Sequence, residues 1–465
     1  YKYLKEEAYK IANKMLTGIG FLSFLIMFFA SDIIANSIIG GVSGGNSVEA
    51  VSIAIKAVSL ALLIVPKLSI LKGYFQGNRY LKEGSISAII EQLVRVLVIV
   101  IGSFVTVKVF KLSVECAVYV AVLGASIGAL VSYFYLKKKA KPVFVENKVE
   151  TISEDEKKIS KKDIIIKIIV YAIPFVIISM LTSAYNVVDT FTVVKTLTRL
   201  GYSTNVAETT IGVISTWGSK LNMIVVSISI GITSSLIPNV VGSYTKGNYK
   251  DINEKLNITF KMLLYLTIPM AFGMSILSKP IWHVFYGIDI LSTDIFRIYI
   301  LQVVVYGLFT TITTITQSMN QTKITIGALV GSFLLKLILN VPIMNLLKVI
   351  NIPSFYGPII TDMISVGLSL ICTLLVLKKN FKFSYREIIY FLSKVLLGLI
   401  AMVTILLLLK EIYFDYSTKL LSILTIVIYT LVGALVYFFV TSRFKLLQSI
   451  LGDDYIKKIK SKFRR

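Results

Sequence analysis

The sequence has few of the residues that build catalytic and metal centres. It contains one histidine, His283, and two cysteines, Cys116 and Cys372, among 465 residues. Zinc sites, histidine-based catalytic triads and disulfide frameworks each need several such residues at defined spacings. The glycines form neither a Walker loop nor a dinucleotide-binding fingerprint. We therefore predict no metal site, no cofactor and no covalent catalysis.

Charged residues are also scarce, at 16% of the chain, whereas 55% of the residues are hydrophobic. The mean hydropathy is +0.80. Apolar runs long enough to cross a bilayer recur from end to end, and no alternating pattern typical of a barrel is present. The composition predicts an all-α polytopic membrane protein. The predicted spans are 13–38, 49–72, 85–109, 113–136, 165–194, 210–243, 257–285, 293–317, 323–347, 355–377, 387–410 and 418–441.

The net charge of +24 could indicate a nucleic-acid partner. Most lysines and arginines, however, lie in short connections that alternate along the predicted spans. The positive-inside rule explains this placement, so we predict no nucleic-acid binding. The same rule places both ends of the chain and its longest loop, 137–164, in the cytoplasm.

Two stretches of the chain resemble each other. Gln76 begins QGNRYLKEGSISAIIEQLVRV and Gln317 begins QSMNQTKITIGALVGSFLLKL, and a cation follows each glutamine at the same distance, Arg95 in one and Lys336 in the other. The segment KML also occurs upstream of both. We interpret this as a parallel repeat of two six-helix lobes, as in many secondary transporters. Because the first copy has only four predicted spans, we expect two more spans ahead of Tyr1, and twelve of about fourteen spans within these 465 residues.

This repeat gives a predicted domain organisation. The last tract should be a basic amphipathic tail on the cytoplasmic face of an anionic bilayer. The predicted segments are an N-lobe at 1–136, a cytoplasmic linker at 137–164, a C-lobe at 165–378, two extra spans at 379–442 and the tail at 443–465.

Particular stretches also resemble a known family. LKGYFQGNRY and SAIIEQLVRV are similar to the polysaccharide-transporter branch of the multidrug/oligosaccharidyl-lipid/polysaccharide (MOP) flippase superfamily, especially its stage V sporulation protein B and MurJ-type lipid II flippase members. NVVDTFTVVKTLTRLGYS, from Asn186, and SSLIPNVVGSYTKGNYK, from Ser234, resemble its seventh and eighth spans.

The resemblance implies a V-shaped pair of lobes around a cationic cavity, with alternating access in a bacterial plasma membrane. It implies a polyprenyl-pyrophosphate-linked oligosaccharide as substrate, and a groove for the lipid tail at the two extra spans. Anionic membrane lipids and cell-envelope synthesis enzymes are the further partners it suggests.

Ionic side chains inside predicted spans are candidate site residues, because an intramembrane charge is costly. Glu91 and Arg95 stand four residues apart, as a structural ion pair on one helix would. Asp362, near the start of a span, is interpreted as interfacial. For each cavity candidate, ion pairing within the bundle or solvation at an interface remains open. The substrate-cavity candidates are Lys336, Asp189, Lys220, Asn340, Arg199 and Arg95.

The resemblance also bears on an ion site. Asp189, Asn340 and Thr361 match positions of a sodium site found in some lipid II flippases. Lys336 stands four residues before Asn340, where those members carry a neutral side chain. An ammonium there would replace a bound sodium ion, so we predict no tight sodium site.

Glycine, glutamine and proline positions predict points of bending. We expect hinges at Gly73, Gln76, Gly77 and Gln317. Helix kinks are expected at Pro66, Pro174, Pro269 and Pro342.

The sequence and the resemblance together predict a flippase for a lipid-linked cell-envelope precursor. One alternative is a drug/cation antiporter of the same superfamily, which would need acidic cavity residues. A second alternative is a polyprenyl-sugar polymerase or glycosyltransferase, which would need metal ligands, exposed carboxylates or a large outer loop.

Overall fold

The computed structural model describes residues 2–39, 47–78, 80–146, 160–381 and 384–451. Every regular element within these ranges is a helix. Twelve helical segments among them are long and apolar enough to cross a membrane. This confirms the prediction of an all-α polytopic membrane protein with twelve spans.

The helices form two units, Tyr1–Phe175 and Val176–Arg465. The helices that begin in the first unit are α1 Lys2–Phe29, α2 Ser31–Ile39, α3 Val48–Ser59, α4 Val65–Gly77, α5 Leu81–Leu97, α6 Val114–Glu146 and α7 Lys161–Arg199. The last of these, α7, continues into the second unit. The predicted linker starts inside α6, which ends at Glu146, and 147–159 lie outside the described residues.

The first predicted span, 13–38, is wrong as a single helix. The chain turns at Ala30, between α1 and α2. Ser31 is fully buried, and its hydroxyl donates to the carbonyl of Phe28 at 2.8 Å. A serine that bonds back to the preceding turn competes with the regular helix and often bends it, which a count of apolar residues does not detect.

Helices α5 and α6 approach closely at two glycines on α6. A Cβ added to Gly128 would lie 2.6 Å from the carbonyl oxygen of Glu91, and one added to Gly124 would lie 3.2 Å from that of Arg95. Glycines four residues apart line one face of α6. They allow its backbone to contact α5 beside the charged residues Glu91 and Arg95.

The second unit contains the remaining helices. They are α8 Thr204–Gly212, α9 Gly218–Thr245, α10 Tyr249–Ile276, α11 Ser278–Tyr286, α12 Ile290–Tyr299, α13 Val303–Ser318, α14 Thr322–Val349, α15 Gly357–Phe381, α16 Arg386–Ile412, α17 Lys419–Arg443 and α18 Leu446–Leu451. A π-helical turn, Val213–Trp217, joins α8 to α9 within one span.

The seventh predicted span, 257–285, is also two helices. Helix α10 ends at Ile276 and α11 begins at Ser278. Pro280 explains the break, because its ring would clash with the carbonyl of Ile276 in a continuous helix. In the first turn of α11, Pro280 is tolerated because no backbone partner is required there.

Three of the four predicted kink prolines lie inside helices, namely Pro174, Pro269 and Pro342. The span Val48–Gly77 is interrupted by a 3-10 turn, Leu60–Leu63, just before Pro66. This residue lies in the first turn of α4, where proline fits the start of a helix.

The last two spans pack against α10 and α11 through polar contacts. The Tyr437 hydroxyl donates to the Tyr265 carbonyl at 2.9 Å. His283 is buried, and its Nδ1 lies 2.7 Å from the carbonyl oxygen of Tyr416 in the loop before α17. Lys261 on α10 and Glu387 on α16 form an ion pair at 2.8 Å.

The start of the predicted amphipathic tail packs on protein. Leu446 and Ile450 of α18 are buried in the same apolar core as α10 and α16. The sequence predicts that this segment faces the lipid, but these two side chains pack against protein instead. Residues 452–465, which carry most of the tail's lysines, lie outside the described residues.

Replacing Gly128 by alanine tests the close contact of α5 and α6. We expect Gly128→Ala to lower the unfolding free energy by about 1–3 kcal/mol, the usual cost of overpacking. The measurement is the unfolding midpoint of the purified protein in detergent. The control is Gly84→Ala on α5, whose added Cβ would meet nothing within 4 Å. Equal midpoints for the two variants would contradict the contact.

Candidate functional site

Three buried charged side chains meet in the second unit. The Nζ atom of Lys336 lies 2.7 Å from Asp189 Oδ2 and 2.7 Å from Asp362 Oδ1. Lys336 is 1% exposed, Asp189 3% and Asp362 8%. These three residues form what we call the ion cluster.

Each member of the ion cluster comes from a different spanning helix. Asp189 lies on α7, Lys336 on α14 and Asp362 on α15. Helical periodicity brings their neighbours onto the same faces, since Tyr185 is four residues before Asp189 and Asn340 is four residues after Lys336. Three helices must therefore pack in the correct register for the cluster to form.

Neutral polar groups surround the cluster. The Asn340 amide donates from Nδ2 to Asp189 Oδ1 at 3.0 Å and to Thr192 Oγ1 at 2.8 Å. The Tyr185 hydroxyl donates to Asp362 Oδ1 at 2.8 Å. The ammonium of Lys336 also lies over the Tyr185 ring, 4.1 Å from its centroid, within the range of a cation–π interaction.

The cluster lines a cavity of about 440 Å³. The cavity lies within the second unit, and α7, α9, α14 and α15 contribute to its wall, together with the π-helical turn and the α12–α13 span. Its polar lining consists of Tyr185, Asn186, Asp189, Ser215, Ser219, Asn222, Tyr299, Gln302, Tyr306, Lys336 and Asp362. Hydroxyl and amide groups of this kind can bind sugars or other neutral polar ligands.

The electrostatics of the cluster limit what Lys336 can do. An ammonium held at 2.7 Å by two carboxylates is already neutralised. Exchanging these partners for an anionic ligand would leave both carboxylates buried without a counter-ion, which costs several kcal/mol. Lys336 therefore lines the cavity without offering a free positive charge.

The other predicted cavity residues lie elsewhere. Lys220 on α9 and Arg199 at the end of α7 are exposed, and neither is among the residues that line this cavity. Thr361, matched to the sodium site by resemblance, bonds within its own helix to the Gly357 carbonyl at 2.9 Å. No described group of three or more histidine, cysteine or acidic side chains could hold a metal ion.

Arg95 belongs to a separate arrangement in the first unit. Its Nη2 atom lies 3.2 Å from Glu91 Oε1, and Lys72 Nζ lies 2.6 Å from Glu91 Oε2. The pair expected from the i,i+4 spacing is thus present, and Lys72 adds a second cation that the sequence did not indicate. The side chain of Glu91 is 14% exposed, so this arrangement is wetter than the ion cluster.

The predicted hinge residues take different positions. Gly73 lies inside α4, whereas Gly77 is its last residue. Gln76 is exposed. Gln317, close to the end of α13, lines a second cavity of about 190 Å³ in the second unit. Their role as hinges remains a prediction.

Asp362 and Tyr185 are the site residues that sequence reasoning missed. Asp362 was interpreted as interfacial because it stands near the start of a span, yet the structure buries it in the ion cluster. A carboxylate within the apolar run IITDMISVGL was itself a signal of a buried partner. Tyr185 could have been identified from its helical spacing to Asp189.

Removing the lysine of the cluster should be costly. We expect Lys336→Met to lower the unfolding free energy by about 3–5 kcal/mol, because two buried carboxylates lose their counter-ion. The matched control is Lys323→Met, an exposed lysine on the same helix α14. The measurement is the unfolding midpoint in detergent. A midpoint for Lys336→Met equal to that of the control would show that the cluster is not a structural ion triad.

Comparisons with known proteins agree with this architecture. The family model described as "Polysaccharide biosynthesis protein" matches residues 2–242, and the model described as "MatE" matches residues 174–341. The chain is 28% identical over 475 residues to the lipid II flippase MurJ of Bacillus subtilis (strain 168), covering 97% of this chain and 85% of that protein. It is 27% identical over 277 residues to the uncharacterized membrane protein YabM of the same organism, covering 58% of this chain and 49% of that protein.

Solved structures give the same fold. A lipid II flippase MurJ in an inward closed conformation has a TM-score of 0.66 at 16% identity, covering 95% of this chain and 84% of that chain. An inward-facing multidrug resistance MATE family transporter of the MOP superfamily has a TM-score of 0.61 at 12% identity, covering 79% of each chain.

The first family model covers just over half of the 465 residues, and the second overlaps it and extends to residue 341. The resemblance identified in the LKGYFQGNRY and SAIIEQLVRV stretches is thereby confirmed. This multi-pass membrane protein belongs to the polysaccharide biosynthesis protein family, within the MOP flippase superfamily.

Proposed function

We propose that the protein is a flippase that moves a lipid-linked cell-envelope precursor, of the class to which lipid II belongs, across a bacterial plasma membrane. The observation that carries this proposal is the similarity to a lipid II flippase along 97% of the chain. The mechanism is alternating access between two lobes, with no covalent step. The predicted parallel repeat and the similarity to a lipid II flippase and to a MATE family transporter support this mechanism.

The cavity of the second unit suits the sugar part of such a substrate. A lipid-linked precursor has a polar headgroup that needs a hydrated path and an apolar tail that can stay in the bilayer. The cavity offers neutral hydrogen-bonding side chains, including Asn186, Asn222 and Gln302. Sugar hydroxyls can exchange hydrogen bonds with such groups without disturbing the ion cluster.

The pyrophosphate should be bound by cations outside the cluster. Lys220 and Arg199 are exposed, and no described acidic side chain forms an ion pair with either. A phosphate can therefore bind them without breaking a buried contact. Arg95 is a weaker candidate, since Glu91 already neutralises it.

The distribution of lysine and arginine supports a topology with both ends of the chain in the cytoplasm. In this topology the basic tail contacts anionic lipids of the inner leaflet. Enzymes that synthesise the precursor would supply it on the same side.

A second candidate function is drug/cation antiport. It is favoured by one observation, the two carboxylates at the cavity, because an antiporter for cations needs acidic groups there. The match of the MatE model to 174–341, which includes Asp189 and Lys336, supports the same alternative.

Complementation separates the two functions. We expect the full-length gene to restore growth in a strain depleted of its lipid II flippase, with the empty vector as control. The level of the protein in the membrane fraction should be measured in parallel. Failure to rescue with the protein inserted would count against lipid II as cargo.

Drug susceptibility supplies the opposing readout. If the protein is a precursor flippase, its expression in a strain lacking drug efflux pumps should leave inhibitory concentrations of cationic drugs unchanged. A several-fold increase, together with failed complementation, would favour the antiporter.

A further inference from the structure

The ion cluster contains one more negative charge than positive. Asp189 and Asp362 are two carboxylates, and Lys336 is the one ammonium that contacts them. All three are at least nine-tenths buried. An uncompensated charge in a dry interior costs several kcal/mol. The cluster therefore needs one more positive charge whenever the cavity loses its water.

The neighbouring side chains do not supply that charge. The titratable groups that face the cluster from the helices packed against it are tyrosines, namely Tyr185 on α7, Tyr299 on α12 and Tyr306 on α13. The span that contains α9 contributes only neutral side chains to the cavity wall. Of the residues that line the cavity, only the three cluster members carry a formal charge. Because tyrosines are neutral at physiological pH, the cluster alone sets the charge at this site.

A metal cation is a poor candidate for the missing charge. The ammonium of Lys336 already occupies the position between the two carboxylates, 2.7 Å from an oxygen of each. An alkali ion bound by the same oxygens would lie close to this ammonium and be repelled by it. A proton needs no such space, because it binds to one oxygen.

Two atoms around the cluster lack a hydrogen-bond donor. The Oδ1 atom of Asp362 contacts the ammonium of Lys336 and accepts a hydrogen bond from the Tyr185 hydroxyl, whereas no described residue donates to its Oδ2 atom. Independently, Asn340 is fully buried, and its Oδ1 has no hydrogen-bond partner although its Nδ2 donates to Asp189. The cluster is thus one positive charge short, and Asp362 Oδ2 has no described protein donor and can accept a proton.

We propose that the Asp189–Lys336–Asp362 cluster binds one proton from the cavity, and that this proton is coupled to transport. The coupling rests on the proposed transport function, whereas the binding of the proton does not. The protonated cluster is neutral and can be buried in a dry, closed cavity. The deprotonated cluster is negative and is stabilised by water in an open cavity. A proton gradient can then drive the cavity between the two states.

The first test is independent of any substrate. Infrared difference spectra of the purified protein between alkaline and acidic solution report protonated carboxyl groups. We expect the wild type to show a buried carboxyl band that is lost in both Asp189→Asn and Asp362→Asn, because either change leaves one carboxylate balanced by one ammonium. Two isosteric variants are used so that misfolding of one does not decide the result.

Two controls sharpen this test. Asp163→Asn removes an exposed carboxylate at the start of α7 and should keep the band. Lys336→Gln leaves two carboxylates without an ammonium, so its band should persist to higher pH than in the wild type. A band unchanged in Asp189→Asn and Asp362→Asn would overturn the proposed proton site.

The second test addresses coupling. In proteoliposomes with the membrane potential clamped at zero, a pH gradient should shift the rate of flipping of a fluorescent lipid-linked precursor, by up to about tenfold per pH unit for one coupled proton. Asp362→Asn should lose this response. Dependence of the rate on sodium, with no response to the pH gradient, would overturn proton coupling in favour of an alkali ion. If no precursor is flipped at all, the function proposed above fails, while the spectroscopic result still decides the proton site.

Discussion

The second unit depends on the burial of three charges, one ammonium held between two carboxylates. Lys336, Asp189 and Asp362 come from three different spanning helices, and none of them is stable without its partners in an interior from which water is excluded. The attraction between these charges offsets the free-energy cost of their desolvation only when α7, α14 and α15 pack in one register. Such an interaction adds specificity to helix packing in a membrane, where lipid-facing and protein-facing apolar surfaces differ little.

Each unit contains a group of three charged side chains in contact, and the two groups have opposite net charge. In the first unit one carboxylate, Glu91, contacts two cations, Lys72 and Arg95, and all three side chains are partly exposed. In the second unit one cation, Lys336, contacts two carboxylates and is almost completely buried. The predicted repeat would place Arg95 and Lys336 at equivalent positions, and their surroundings differ in charge and in exposure. The cluster of the first unit is therefore wetter and net positive, whereas that of the second unit is drier and net negative.

The sequence predicted the class of the protein because that class follows from local properties. Hydropathy and length identify a spanning helix without knowledge of its neighbours, and all twelve were found in this way. The breaks at Ala30 and before Pro280 were missed, because a sum over apolar residues is insensitive to one hydrogen bond or one proline ring. Lys336 and Asp189 were recognised as unusual within their spans.

The ion pair between Asp362 and Lys336 could not be predicted from the local sequence around either residue. Asp189 and Asp362 are far apart in the chain, and which carboxylate meets which ammonium depends on helix register. The same limit applies to Lys72, which meets Glu91 across the turn between α4 and α5. Periodicity could place Tyr185 and Asn340 on the correct faces, but only the packed structure brings those faces together. The sequence therefore identified unusual charged residues within the spans, whereas the structure was needed to show which of them contact one another.

The two carboxylates that contact Lys336 leave it no free positive charge for an anionic substrate. A charge swap tests this most directly, with transport measured for Asp189→Lys, for Lys336→Asp and for the double variant. We expect each single change to abolish transport and the double change to restore a substantial part of it, since opposite charges again face each other. A double variant with no more transport than either single variant would contradict the pairing. It would support Lys336 as a substrate-binding cation.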